Sequence, residues 1–259
     1  MKPLILTHTG KLGDFVYSWP VAEWVYRQTG RKIHWVLPRC FKPFQQVERL
    51  LALQDFTDSL TLVDFPVKGY NCGGQPYRFN PADYGIPGEY YNLGFRWWPT
   101  QSKKFVTEFM GEEHGFGWDP NWVLKIGDYS RVETFSRVYT EQFRKECVSE
   151  KNERVIDLNR DILDNVQMLA AAKTRHCAFS GMAAILYFAR VPFTLYRSTD
   201  NPATPLYFPD TSRYELIITR PPYKSIRTKV DLKKDLLKTN WELIKTRMIS
   251  VFRSRVRTI

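Results

Sequence analysis

Asp14 is the residue of this chain best placed to do chemistry. It follows Thr9-Gly10-Lys11-Leu12-Gly13 and precedes Phe15-Val16-Tyr17-Ser18-Trp19-Pro20, so a carboxylate opens a helix directly after a glycine turn. A carboxylate held there is able to take a proton from an attacking hydroxyl, provided the two lie within hydrogen-bond reach. Free amides at a helix start favour anions, which makes Thr9, Gly10, Lys11 and Gly13 a candidate loop for a phosphate or sugar diphosphate. An ordinary strand-to-helix turn has the same spacing, with Asp14 only capping the helix against its dipole.

The elements that must position this loop are legible around it. Leu4 to Leu6 form a continuous apolar run, the pattern of a strand covered on both faces. Val16, Val21, Trp24 and Val25 recur roughly at helical spacing after the turn. Further along, the spacing predicts strands over 33–37 and 59–65 with a helix over 41–53 between them. A Gly-, Pro-, Asn- and Tyr-rich stretch over 67–89 reads as a long surface loop of the kind that shapes clefts. A strand is predicted over 91–95 and a helix over 103–111. Asp119-Pro120 marks a boundary between two units. Beyond it the pattern predicts strands over 122–126 and 154–158, a helix over 133–147, and then helix 162–172, strand 176–179, helix 181–189 and strand 192–196. Alternation of this kind argues for an α/β protein with mostly parallel sheets.

Composition sets the frame. The chain has 259 residues, 43% hydrophobic and 25% charged, as in ordinary globular proteins. No apolar run reaches the roughly 20 residues of a membrane-spanning helix, and the first residues lack a signal-peptide pattern, so a cytoplasmic location is expected. Cys40, Cys72, Cys147 and Cys177 are widely separated and form no metal-ligand spacing, so neither disulfides nor a metal site is expected. Cys177 beside His176 sits in a strand-like run, where a small buried thiol is the commoner outcome than a nucleophile.

Charge is unevenly placed. The net charge is +11, and from Arg213 onward there are 13 Lys/Arg against 4 Asp/Glu. From about Val230 a helical pattern sets Leu237, Trp241, Ile244, Met248 and Val251 on one stripe, among Lys233, Lys234, Lys238, Lys245 and Arg247. The stripe suits docking on the body, and the basic face suits a polyanion: nucleic acid, anionic lipid or a phosphorylated glycan.

Two segments together resemble a known family. Gly10-Lys11-Leu12-Gly13-Asp14 with Ser18-Trp19-Pro20-Val21 is similar to the opening of the heptosyltransferase-like glycosyltransferases of family 9. The stretch Arg154-Val155-Ile156-Asp157-Leu158, then Phe179-Ser180-Gly181-Met182-Ala183-Ala184 and Val191-Pro192, resembles that family's nucleotide-sugar segment. The resemblance implies a GT-B-like fold of two facing Rossmann-like domains: an acceptor-side domain over 1–119, a donor-nucleotide domain over 120–229, and a basic C-terminal helix over 230–259. It implies Asp14 as general base, with Ser180, Gly181 and Met182 presenting amides to the donor diphosphate and Arg131 assisting. It implies inversion at the sugar carbon without a metal or cofactor, the nucleotide-sugar being a co-substrate. Two positions depart from the family pattern. Phe179 stands where the family has Asp, and Ala184 where it has His, so donor recognition is altered or lost.

The paired Trp97 and Trp98 have two readings, packing the core or lining the acceptor cleft, where rings stack on a sugar or on an extruded base. The expected function is transfer of a sugar to a hydroxyl on an anionic acceptor. A hydroxymethylated base in DNA is favoured over a lipopolysaccharide core because the basic tail offers a track for the phosphate backbone. A non-catalytic, nucleic-acid-binding protein of the same shape is the alternative from another class.

Overall fold

The computed structural model describes residues 2–8, 11–39, 41–64, 80–93, 122–140, 152–198, 208 and 210–219. Residues 1–218 make one compact unit and 219–259 a second. The predicted helix over 103–111, the basic helix over 230–259 and the boundaries at 119–120 and 229–230 lie outside the described residues.

Two parallel sheets organise the first unit. Strand β1 (Leu4–Thr7) is buried along its whole length and runs parallel between β2 (Ile33–Pro38) and β4 (Tyr90–Asn92), with β3 (Thr57–Val63) outside β2. Four buried residues in a row need apolar cover on both faces, and Leu4-Ile5-Leu6 meets that need. Helix α1 (Leu12–Tyr17) passes through Ser18 into α2 (Trp19–Thr29). Pro20 in the first turn of α2 lacks an N–H, so the interruption falls at the residues just before it. Gly30 ends α2 in the left-handed conformation (φ 65°), which glycine adopts without steric cost.

The second sheet has the order β6-β5-β7-β8-β9, formed by β5 (Arg137–Tyr139), β6 (Glu153–Val155), β7 (Thr174–Ala178), β8 (Phe193–Ser198) and β9 (Tyr214–Thr219). The pairs β5/β6, β5/β7 and β7/β8 are parallel. Helices α4 (Ile162–Ala171) and α5 (Gly181–Phe188) cross between its strands, and α3 (Glu48–Ala52) belongs to the first half. The architecture is α/β with two parallel sheets, as the alternation of elements predicts.

Three local expectations are corrected. The helix over 133–147 is not formed in its described part: 137–139 is strand β5, between β6 and β7. Phe135, Val138 and Tyr139 imitate helical spacing, but the β-branched and aromatic pair Val138-Tyr139 is buried in the sheet instead. The single helix over 41–53 is a 3-10 turn (Lys42–Gln46) followed by α3. The segment 122–126 alternates buried and exposed residues as a strand does, yet it joins no sheet. Its main chain bonds elsewhere. Leu124 N donates to Phe188 O (3.0 Å), Lys125 N to Gln54 Oε1 (3.2 Å), and Gln54 Nε2 to Lys125 O (2.8 Å). Gln167 Nε2 donates to Ile126 O (2.9 Å). Two glutamine side chains thus do the work of a neighbouring strand.

One apolar core runs through both sheets, from Leu4, Phe15, Trp19 and Trp35 to Ile185, Phe188 and Leu195. Tyr17 meets Phe188 edge-on at 5.0 Å between ring centroids, and Trp122 meets the same ring at 5.4 Å. Gln54 is buried and also donates to Leu50 O (2.9 Å), so its amide ties α3 to the connecting segment. Replacing it by Leu strands the main-chain groups of Lys125. The expected cost is about 1–2 kcal/mol, read as a lower urea midpoint with unchanged slope.

Candidate functional site

The sequence places Asp14 and Ser180-Gly181-Met182 far apart, and the fold brings them together. Helix α1 starts after β1, helix α5 starts after β7, and the two helix starts pack glycine to glycine. A Cβ on Gly181 would lie 2.9 Å from Leu12 Cβ and Cγ and 3.0 Å from Gly13 N, whereas a Cβ on Gly13 would rest 3.5 Å from Gly181 Cα. Only a residue without a side chain fits at 181. Both loops leave the carboxyl ends of their strands, where ligands bind in open parallel sheets.

Asp14 is half-buried in the first turn of α1, and its Oδ2 accepts a hydrogen bond from Lys11 N (3.3 Å). The capping role open from the sequence is therefore present. Oδ1 makes no hydrogen bond among the described residues, which leaves one carboxylate oxygen for other work. Burial pushes the Asp14 pKa above the ordinary carboxylate value, opposed by the Lys11 N–H bond and the Lys11 charge. A raised pKa makes the carboxylate a better proton acceptor.

His8 was not among the residues singled out from the sequence. It directly follows β1, is wholly buried, and its ring lies 5.4 Å from Phe15 and 6.5 Å from Phe44, centroid to centroid. Burial holds its pKa down at about 3, and a hydrogen bond with the Asp14 main chain pulls weakly the other way. The imidazole is therefore neutral at pH 7 and buttresses the backbone that carries Asp14. Its position between a buried strand and a glycine turn was the available signal.

On the other side, Ser180 is the extended residue before α5 (φ −150°, ψ 173°), and its hydroxyl does not cap the helix. The first amides of α5 have no intrahelical acceptor. Ser180 Oγ and Asn165 Oδ1 are buried and without hydrogen-bond partners among the described residues. Both residues line a cavity of about 170 Å³ together with Leu12, Pro43, Gln46, Ile156, Ile162, Gly181 and Met182. Asn165 was missed as well. It is a polar residue on the buried face of α4, among Ile162, Leu163, Val166 and Leu169.

Other candidate residues fall elsewhere. Arg131 is exposed on the turn after Tyr129 and does not line this cavity. Thr9, Gly10, Trp97, Trp98, Lys233, Lys234, Lys238, Lys245 and Arg247 lie outside the described residues. Phe179 packs edge-on against Phe208 (5.5 Å), and Ala184 is buried in α5, so neither position carries a polar group. Cys177 is a free, wholly buried thiol whose pKa burial pushes up, as a structural cysteine requires. His176 bonds Tyr196 Oη (3.0 Å) and Thr174 Oγ1 (3.2 Å) and stacks on Tyr139. Among the described residues no cluster of His, Cys, Asp or Glu could hold a metal, and no helix is long and apolar enough to cross a membrane.

Two Rossmann-like sheets, with the helices that follow β1 and β7 meeting at their starts, define a GT-B-like fold. Solved structures bear this out. The fold is similar to a glycosyl transferase family 9 protein from Veillonella parvula (TM-score 0.56, 12% identity, 84% of this chain and 86% of that one). It is also similar to the ADP-heptose lps heptosyltransferase II of E. coli (TM-score 0.55, 10% identity, 95% and 99%). A third similar structure is the E. coli heptosyltransferase WaaC with ADP-2-deoxy-2-fluoro heptose (TM-score 0.52, 8% identity, 92% and 100%). No protein-family model matches the chain, and no curated protein matches it by sequence.

Two outcomes follow from this geometry. Gly181→Ala overpacks the contact between helix starts and is expected to cost about 1–3 kcal/mol in chemical denaturation, while Gly13→Ala, in ordinary contact, is tolerated. His8 has a pKa lowered by folding, so the unfolded chain binds its proton first as pH falls below about 6.5. Its contribution is complete above that pH and is lost down to about pH 3, at up to about 1.4 kcal/mol per pH unit. Urea titrations from pH 7 to 4 are expected to show a flatter profile for His8→Gln than for the native chain.

Proposed function

We propose that this chain is a glycosyltransferase that moves a sugar from a nucleotide-sugar to a hydroxyl, with inversion and without a metal. The observation that carries the reading is the packing of the Asp14 helix start on the Ser180-Gly181 helix start. In this mechanism the acceptor oxygen attacks the anomeric carbon and its proton passes to Asp14. The bond from that carbon to the diphosphate oxygen breaks, and the nucleoside diphosphate leaves with the electron pair. The amides of Gly181 and Met182 face the departing charge, where preorganised donors are most effective.

For the acceptor, the likeness to heptosyltransferases supports a saccharide of the lipopolysaccharide-core type. The DNA acceptor expected from the basic tail receives no support from those likenesses, and nearly all of that tail lies outside the described residues. A second reading, a binding protein without transfer chemistry, draws on Phe179 and Ala184, which supply no polar group to a donor.

The deciding experiment measures nucleoside diphosphate release from a panel of nucleotide-sugars. Core saccharide and hydroxymethylated DNA are offered in parallel, with and without EDTA, to the native chain and Asp14→Asn. Saccharide-dependent release that persists in EDTA and falls roughly 10²–10⁴-fold in Asp14→Asn is expected. Equal release by the two proteins overturns the base assignment, and absence of release with every donor favours the binding protein. Because burial raises the Asp14 pKa, its ionised form costs folding free energy at pH 7, so Asp14→Asn is expected to be at least as stable as the native chain. In the native enzyme kcat/KM is expected to fall as pH drops through an apparent pKa above the ordinary carboxylate value of 3.8.

A further inference from the structure

We infer that Asn165, seconded by Ser180, determines which nucleotide this chain accepts: its side-chain carbonyl is a fixed acceptor for an N–H on the edge of the base. The inference rests on the nucleotide-sugar reading above and adds to it the group that reads the base.

Asn165 sits on the buried face of α4 with 1% of its surface exposed. Its amide orientation is set by one bond, Nδ2 donating to Asp157 O (2.8 Å). Oδ1 is thereby left as an acceptor, and no described residue donates to it. Buried polar groups are paired in the great majority of cases, and an unpaired one costs about 1–3 kcal/mol. Ser180 Oγ is a second such atom on the same cavity. Asn165 also borders a larger, charged cleft containing Arg154 and Arg160, but Ser180 lines only the smaller cavity of the two.

Size and lining select the ligand. A cavity of about 170 Å³ is near the 150 Å³ or so that accommodates a benzene ring, so its size suits a single flat base and not a whole nucleotide. Its walls are chiefly Leu12, Ile156, Ile162 and Met182. A pyranose carries hydroxyls around its whole rim, and such walls would leave most of them unpaired. A nucleobase has apolar faces and a polar edge, which matches largely apolar walls that carry two unpartnered polar atoms beside the side chains of Gln46 and Thr140. Asn165 Oδ1 accepts from a base N–H, and the Ser180 hydroxyl either donates or accepts. The cavity adjoins the α5 start, where the diphosphate is assigned. A site built around such an acceptor rejects a ligand that lacks the donor, because the acceptor is then buried unpaired.

The test is calorimetric titration of the full chain with ADP, CDP, GDP and UDP. The diphosphate that binds is then compared with its counterpart methylated at the base N–H (N6,N6-dimethyl-ADP, N4,N4-dimethyl-CDP, N1,N2,N2-trimethyl-GDP or N3-methyl-UDP). In the native chain the methylated form is expected to bind about tenfold more weakly, or worse. In Asn165→Leu, with its fold verified by circular dichroism, the ratio is expected to fall to about twofold or less, and Ser180→Ala is expected to lower it in the same direction. Equal affinity of parent and methylated forms for the native chain overturns the inference, and so does an unchanged ratio in Asn165→Leu. The native ratio needs no variant, so it decides the matter even if Asn165→Leu does not fold. Sound binding without discrimination overturns this inference alone. Absence of binding by all four diphosphates overturns the nucleotide-sugar reading with it.

Discussion

The contact between Gly13 and Gly181 is the constraint on which the rest of this structure depends. Two helices that follow strands of different sheets start against each other, and they approach so closely that position 181 has no room for a Cβ. That approach brings the start of the helix that carries Asp14 against the start of the helix that carries Gly181 and Met182. It also shapes the small cavity, since Leu12 from one start and Met182 from the other are among its walls. Glycine at 181 is therefore required by packing and not by backbone conformation.

Holding the two starts together is the task of the core. It is continuous from the first sheet to the second, and Tyr17, Trp122 and Phe188 form its aromatic seam. Polar groups reinforce the seam at its margin. Arg49 of α3 reaches Asp164 (2.7 Å) of α4 and Asp161 (3.6 Å), the residue that caps it, and Lys42 bonds Asn159. These pairs are exposed and contribute little stability each, so the apolar contact carries most of the load. The glutamines Gln54 and Gln167 clamp the extended segment that passes between the halves.

Two ionisable groups at the candidate site are shifted by the same cause with opposite consequences. Burial keeps His8 neutral and holds its pKa down, and burial raises the Asp14 carboxyl. The neutral imidazole supports the main chain at Asp14 without adding a charge beside the carboxylate. Asp14 in turn stores some of the folding free energy as basicity, a common arrangement where a carboxylate must accept a proton.

By itself the sequence determined the α/β class, the βα unit that presents Asp14, the helix–strand–helix–strand run from 162 to 196 and the structural character of Cys177. Those features are local: a buried apolar run, a glycine turn or a helical stripe acts within a few residues of itself. Tertiary structure decided what depends on distant partners. Val138-Tyr139 became a strand because β6 and β7 flank it, and 122–126 stayed out of the sheets because Gln54 and Gln167 took its main-chain bonds. His8 and Asn165 carry no distinctive spacing, and their roles arise only from what burial denies them. The meeting of residues 13 and 181, separated by most of the chain, was beyond any periodicity, since only packing of the two sheets on one core brings those helix starts within van der Waals contact.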